Sequence, residues 1–250
     1  MNQGAWDRCS TSAISALAFA SGPTCRRLAF LGGAYALLAL SPWGAAMSGV
    51  AEEKQQAAQR GAAGLTAKQL NDYGLDLFEH GRVDEAVAIL NRAVALYPQA
   101  VLPHYNRGTV YLSLKKLEEA VADFSEAVRL DPTFALGYMN RSSAFSYLGR
   151  LDEALADADE AVRLNPSYAD AFFNRAIVRV KKGMLQAAIS DYDKTIELNE
   201  RDVQSFAGRA AVWWKLGERD KAIADYRKAL QIDPRNRAAL MGLYELHALP

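Results

Sequence analysis

An all-α solenoid, five helical hairpins stacked in a row and closed by a lone C-terminal helix, is the fold this sequence predicts. Three observations predict it. Pro98, Pro132, Pro166 and Pro234 lie on one 34-residue lattice, with Glu200 at the point where proline is missing. The alanines Ala86, Ala120, Ala154, Ala188 and Ala222 recur on the same period. Between these markers two apolar stripes run at helical spacing in each unit, as in Tyr105, Gly108, Tyr111 and Leu112, then Leu117, Ala120, Val121, Phe124, Ala127 and Val128. A fixed period is stronger evidence of architecture than any local pattern. One hairpin cannot bury its own apolar face, so neighbours must stack.

In chain order, the first element is a preface, residues 1–51. From Leu28 to Ala51 no residue is charged, with Arg26 and Arg27 before the run and Glu52 and Glu53 after it. The run is long enough to span a bilayer, yet its strongly apolar part is only Leu28 to Leu40, and Pro42 then breaks the helix before small residues take over. This is signal-peptide grammar, with small-residue cleavage choices after Ala46, Ser48 or Ala51. An uncleaved N-terminal transmembrane anchor is the alternative, and both place the repeats across the membrane, because the arginines stay on the inner side. The Ser/Ala-rich, acid-poor stretch before the arginines also fits a transit segment, which would send the protein to a thylakoid lumen rather than a periplasm. Residues 52–66 lack a core pattern and read as a tether. Thr66 and Gln69 have capping-box spacing, which marks the start of the first repeat helix.

The five units follow as 67–100, 101–134, 135–168, 169–202 and 203–236. Four of them break into two helices near Gly81, Gly149, Gly183 and Gly217, since glycine tolerates the left-handed conformation that ends a helix, and a nearby Asp is expected to cap the next one. Small residues at Gly74, Gly108, Ser142, Ala176 and Ala210 face the recurrent alanines and let the paired helices approach closely. A final segment, 237–250, starts a sixth first helix with Leu240, Leu243 and Tyr244 in register and reads as a cap.

These columns resemble the tetratricopeptide repeat, whose signature is W-x2-L-G-x2-Y, then A-x3-F, then P. The tryptophan column holds Leu70, His104, Tyr138, Phe172 and Phe206. The tyrosine column holds Leu77, Tyr111, Phe145, Arg179 and Trp213, with Arg179 the misfit. The phenylalanine column reads Leu90, Phe124, Ala158, Tyr192 and Tyr226. The fourth unit departs most, with Thr195 for alanine and Glu200 for proline. The resemblance implies a right-handed α-solenoid whose first helices line a concave groove, and a protein-binding role.

Composition excludes several functions. The chain has 29 basic and 29 acidic residues, and no basic stripe interleaved with aromatics points to nucleic acid. Cys9 and Cys25 both lie in the preface, so a cleaved chain would have no disulfide. His80, His104 and His247 sit in different units at unrelated columns, and no catalytic, metal or phosphate-binding motif occurs. The sequence therefore assigns no catalytic residue, no cofactor and no metal. Acidic pairs such as Asp157 with Asp159 read as a solvated face.

The site candidates come from the implied groove. Its fifth place holds Tyr105, Met139 and Phe173, its sixth Asn106, Asn140 and Asn174, and further along stand Leu112, Tyr147, Val180 and Trp214. The asparagines are expected to face solvent as a ladder pairing the main chain of an extended peptide, so that replacing them would cost the fold little. Aromatic and Met neighbours would supply contact area. The family's carboxylate clamp for chaperone tails needs lysines where this chain has Leu136 and Asn71. The resulting function is a non-catalytic interaction scaffold outside the cytoplasm. The alternative is a regulatory or substrate-recruiting subunit of an enzyme complex, which an exposed apolar patch on the outer helices would favour.

One further pairing is legible. Arg107, Arg141, Arg175 and Arg209 hold the seventh place of units two to five, and Asp123, Asp157, Asp191 and Asp225 the twenty-third. The first unit has Tyr73 and Ile89 at these places. Arginine and aspartate appear or vanish together, which predicts a partly buried bridge within a hairpin or between adjacent ones.

Overall fold

A computed structural model describes residues 64–248, so the preface and most of the tether lie outside the described residues. Among the described residues the chain forms eleven helices and no strand. They are α1 Ala67–Glu79, α2 Val83–Leu96, α3 Val101–Ser113, α4 Leu117–Leu130, α5 Ala135–Tyr147, α6 Leu151–Leu164, α7 Ala169–Lys181, α8 Leu185–Leu198, α9 Val203–Lys215, α10 Arg219–Ile232 and α11 Arg237–Glu245. The two helices of each unit pair antiparallel, and each second helix packs on the next first helix. First helices of successive units also meet, at α1/α3, α3/α5, α5/α7 and α9/α11, while no two second helices approach to the same degree. The first helices therefore form the inner face of the solenoid and the second helices its outer face.

Local chemistry explains the boundaries. Thr66 and Gln69 form the expected capping box at α1, with the Gln69 amide N–H donating to Thr66 Oγ1 at 3.3 Å and the Thr66 N–H to Gln69 Oε1 at 2.9 Å. Gly81, Gly149, Gly183 and Gly217 end their first helices at φ 74–82°, and Lys115 occupies the same column at φ 60°. The expected Asp caps of the second helices are absent. Their N-caps are Arg82, Lys116, Arg150, Met184 and Glu218, without a side-chain capping bond. Asp84, Asp152 and Asp220 stand instead one residue into the first turn, where a carboxylate favours the helix through its dipole. Between units a second device recurs. The side chains of Asp131, Asn165, Asn199 and Asp233 accept the backbone N–H two residues on, at 2.9, 3.3, 3.2 and 3.0 Å, each turning the chain around the following residue.

The five recurrent alanines are fully buried, and the small-residue column lies against the second helices. A Cβ on Gly74 would stand 2.8 Å from Leu90 Cγ, and one on Gly108 2.9 Å from Phe124 Cε1, so both glycines are required by close approach. Thr195, the polar intruder of the fourth unit, is buried with its hydroxyl donating to the Asp191 carbonyl at 3.0 Å, and α8 is a full-length helix.

Candidate functional site

Arginine–aspartate bridges fix the frame of the inner face. Arg107, Arg141 and Arg209 each give Nε and Nη2 to the two oxygens of Asp123, Asp157 and Asp225, at 2.6–2.8 Å. Arg175 holds Asp191 in the same way at 2.7–3.2 Å. Each guanidinium also reaches back to the second helix of the preceding unit, onto Asn91, Ser125, Asp159 and Asp193 in turn. One side chain thus ties three helices. The aspartate hydrogen bonds hold the Arg107, Arg141 and Arg209 guanidinium pKa values above their already high ordinary range. Half of the solvated-face reading is corrected: Asp157 is buried under Arg141, and Asp159 is half exposed but engaged by Arg175. Arg179, the misfit of the tyrosine column, joins the fourth bridge, donating to Asp191 Oδ2 at 2.8 Å and to the Ala187 carbonyl at 3.3 Å.

The asparagines of the sixth place do not line an open ladder. Asn106 is buried, and its Nδ2 donates to Asn71 Oδ1 at 2.7 Å. Asn140 Nδ2 donates to the Tyr105 hydroxyl at 3.0 Å and lies 3.4 Å from Thr109 Oγ1. Asn174 Nδ2 donates to Ser143 Oγ at 2.8 Å, while its oxygen accepts from Ser142 Oγ at 3.0 Å. Every amide points to the preceding first helix and joins two units. The expectation that these amides face solvent is therefore corrected: each is held by the preceding first helix. Burial pushes the Tyr105 phenol up, with the bonds to Thr109 and Asn140 pulling the other way, so it serves Asn140 as a neutral hydroxyl.

The remaining candidates separate by exposure. Leu112 lies in the core with Ala120, Phe124 and Ala144, and Val180 with Ala176, Ala188, Ile189 and Val212, so neither is available to a ligand. The twelfth place is covered by the next first helix. In the fifth unit that cover is α11, which ends at Glu245, and Trp214 stays 43% exposed. Tyr105, Met139, Phe173 and Tyr147 are half-buried along the same face. Tyr105 is braced edge-on by Phe134 at 4.9 Å and Phe173 by Tyr192 at 5.9 Å, which fixes the ring positions.

Models of the tetratricopeptide repeat match residues 72–133, 139–203 and 203–236, most of the described chain. The chain belongs to the tetratricopeptide repeat family. Solved structures share the fold. MamA is 25% identical, with a TM-score of 0.60 over 65% of this chain and 95% of that one. TTC0263, a thermophilic TPR protein of Thermus thermophilus, is also 25% identical, with a TM-score of 0.61 over 74% of this chain and all of that one. YrrB shares the fold at 22% identity and a TM-score of 0.59, over 79% of this chain and 97% of its own. No curated protein matches the sequence. A tetratricopeptide array of this kind is a protein-interaction scaffold. Among the described residues no group of His, Cys, Asp and Glu could hold a metal ion, and no helix is long and apolar enough to cross a membrane.

Sequence reasoning missed a second way of joining units. Where the sixth place is glycine, at Gly208 and Gly242, the preceding second helix carries Tyr192 or Tyr226. A Cβ at Gly208 would stand 2.8 Å from Tyr192 Cζ, and one at Gly242 would collide with the Tyr226 ring. The signal was present in the repeat columns: asparagine at place six follows Leu90, Phe124 or Ala158 at place twenty-four, and glycine follows tyrosine.

Proposed function

We propose that this array is a non-catalytic scaffold acting outside the cytoplasm, holding an extended segment of a partner protein in the groove of its first helices. The observation that carries this reading is the run of Tyr105, Met139, Tyr147, Phe173 and Trp214, half-buried or exposed, along one face of α3, α5, α7 and α9. Rings fixed by neighbours supply contact area without losing much freedom on binding. Asn140 and Asn174 still contribute: their amide donors are engaged, but an amide oxygen has two lone pairs, and that of Asn140 accepts from no described residue. YrrB, described as a TPR protein with an unusual peptide-binding site, lends support by analogy of fold. The outer helices offer less. Their exposed large apolar side chains are Leu96 and Leu198, in units one and four, which is no patch for a stable enzyme-complex interface.

Export rests on the charge-flanked apolar segment Leu28 to Leu40 and the small residues after Pro42. The mature chain is expected to begin between Met47 and Glu52, and N-terminal sequencing of the native protein reads this directly. An intact chain in the membrane fraction would indicate the anchored form. For the groove, hydrogen–deuterium exchange of the chain with a partner captured from envelope extract should show protection on α3, α5, α7 and α9. Protection confined to α4, α6 and α8 would favour the enzyme-subunit reading instead.

A further inference from the structure

Helix α11 carries a face that nothing among the described residues covers. Arg237, Leu240, Met241, Tyr244 and Glu245 are exposed, Met241 at 51% and Tyr244 at 67%, and their spacing places them on one side of the helix. Ala239, Gly242, Leu243 and Leu246 lie on the other side and are buried. The eighth place of a first helix meets its own second helix, and in units one to five it is Gly74, Gly108, Ser142, Ala176 or Ala210. Even a Cβ would strike Leu90 at the first of these and Phe124 at the second. In α11 the same place is Tyr244, so a second helix has no room to pack on it as in the five hairpins. The helix also ends one turn early: His247 holds the left-handed position, φ 49°, at the eleventh place, where Gly81, Gly149, Gly183 and Gly217 hold it at the fifteenth. The charges on the open face run against their own helix. Arg237 opens α11 and Glu245 closes it, whereas the helix dipole favours an acid at the start and a base at the end. Neither forms an ion pair with a described residue. They stand four residues before and four residues after Met241, so an antiparallel copy of the face is its own complement.

We propose that α11 is the contact of a symmetric dimer, packing antiparallel on the α11 of a second copy about a twofold axis at Met241. Arg237 of each copy then faces Glu245 of the other, and Leu240, Met241 and Tyr244 of both close the centre. The antiparallel neighbour also answers the dipole: each Arg237 lies beside the C-terminal end of the other helix and each Glu245 beside its N-terminal end, where a cation and an anion are favoured. A twofold contact needs only one self-complementary patch and closes at two copies. Five side chains from each copy make a small interface, so the dimer is weak, with a dissociation constant on the order of 10–100 μM. The contact uses no residue of the groove proposed above and stands apart from that reading.

Sedimentation equilibrium of the full chain over about 1–500 μM tests this, with the same preface on every variant so that association through that segment is common to all. Arg237→Glu alone sets acid against acid at both ends of the contact, and Glu245→Arg alone sets base against base, so each should weaken dimerisation at least about tenfold. Mixed in equal amounts, the two variants bring opposite charges together at both ends and should dimerise to within about threefold of the natural chain. Met241→Lys, at the axis, should leave a monomer. Arg237→Glu and Glu245→Arg both suit the helix dipole better than the natural residues, so Tm at about 1 μM, where the chain is monomeric, should not fall, an outcome that a merely structural pair of charges would not give. A chain that stays monomeric up to about 500 μM overturns the proposal: with α11 protected from hydrogen exchange the face belongs to another segment of the same chain, and without protection it is left to a different protein. Association that no variant weakens, or that the mixture fails to restore, overturns it as well.

Discussion

The two ends of the array are joined differently. From the first unit to the fourth, an asparagine at the sixth place hydrogen-bonds back to the preceding first helix, through Asn106, Asn140 and Asn174. From the fourth unit onward a tyrosine ring on the preceding second helix, Tyr192 or Tyr226, lies over a glycine that has no side chain to obstruct it. The hairpins themselves are alike in both regions, and so are the arginine–aspartate bridges that tie each to its predecessor. A solenoid constrains the distance between neighbouring units but not the chemistry that fills it: a polar amide pair and an aromatic face on bare backbone occupy the same place. What matters is that places six and twenty-four agree, so mixing the two kinds should cost more than either.

The largest effect should come from the element common to both regions. Arg141→Ala leaves the buried Asp157 carboxylate without its partner and should destabilise the protein by roughly 3–5 kcal/mol, while Arg141→Tyr with Asp157→Ile, the pair found in the first unit, should cost much less. Arg209→Ala, in the tyrosine–glycine region, should match Arg141→Ala. Arg175→Ala should fall clearly below both, because Arg179 still holds Asp191. Urea unfolding of the variants decides this, and additive single and double losses would show that the columns do not couple. Next in size is the transplant of one junction into the other. Gly208→Asn drives a side chain into the Tyr192 ring and should cost about 1–3 kcal/mol, and adding Tyr192→Ala should recover part of that loss by recreating the Ala158–Asn174 combination. If the double variant is worse than the sum of its parts, the two places do not form a unit. The smallest effect is expected at the amide junctions, where Asn106→Ala should cost about 0.5–1.5 kcal/mol by leaving Asn71 Oδ1 without its donor, with Asn140→Ala and Asn174→Ala below it because their sites are wetter. Thermal melts of the three single variants give the order.

Much of this fold was legible in the sequence. The proline lattice and alanine column gave the five hairpins, Thr66 and Gln69 gave the first helix start, and the joint absence of arginine and aspartate from unit one gave the bridges before any distance was known. The groove was less legible, for a geometric reason. Neighbouring places on a helix point about 100° apart, with 3.6 residues to the turn, so whether place six or place twelve opens to solvent depends on how the next first helix crosses, which a single repeat does not encode. Met139 and Phe173 are half-buried, while Asn106, Leu112 and Val180 lie buried under a neighbour. Trp214 remained open because α11 is short, not because of its own column. The missing Asp caps have a similar origin: a shift of one or two residues moves a carboxylate from the cap to the first turn, and both positions favour a helix start.

On the proposed function, the open side chains of the first-helix face bind a partner while the asparagines hold the units together. Isothermal titration of a captured partner segment against Tyr147→Ala/Trp214→Ala and against Asn106→Ala, with Tm recorded for both, tests it most directly. The first variant should lose at least about tenfold in affinity, as for the truncation of two aromatic contacts, with Tm nearly unchanged, and the second should lower Tm while the folded protein keeps its affinity. The reverse pattern, binding lost with Asn106 and retained without Tyr147 and Trp214, would contradict it.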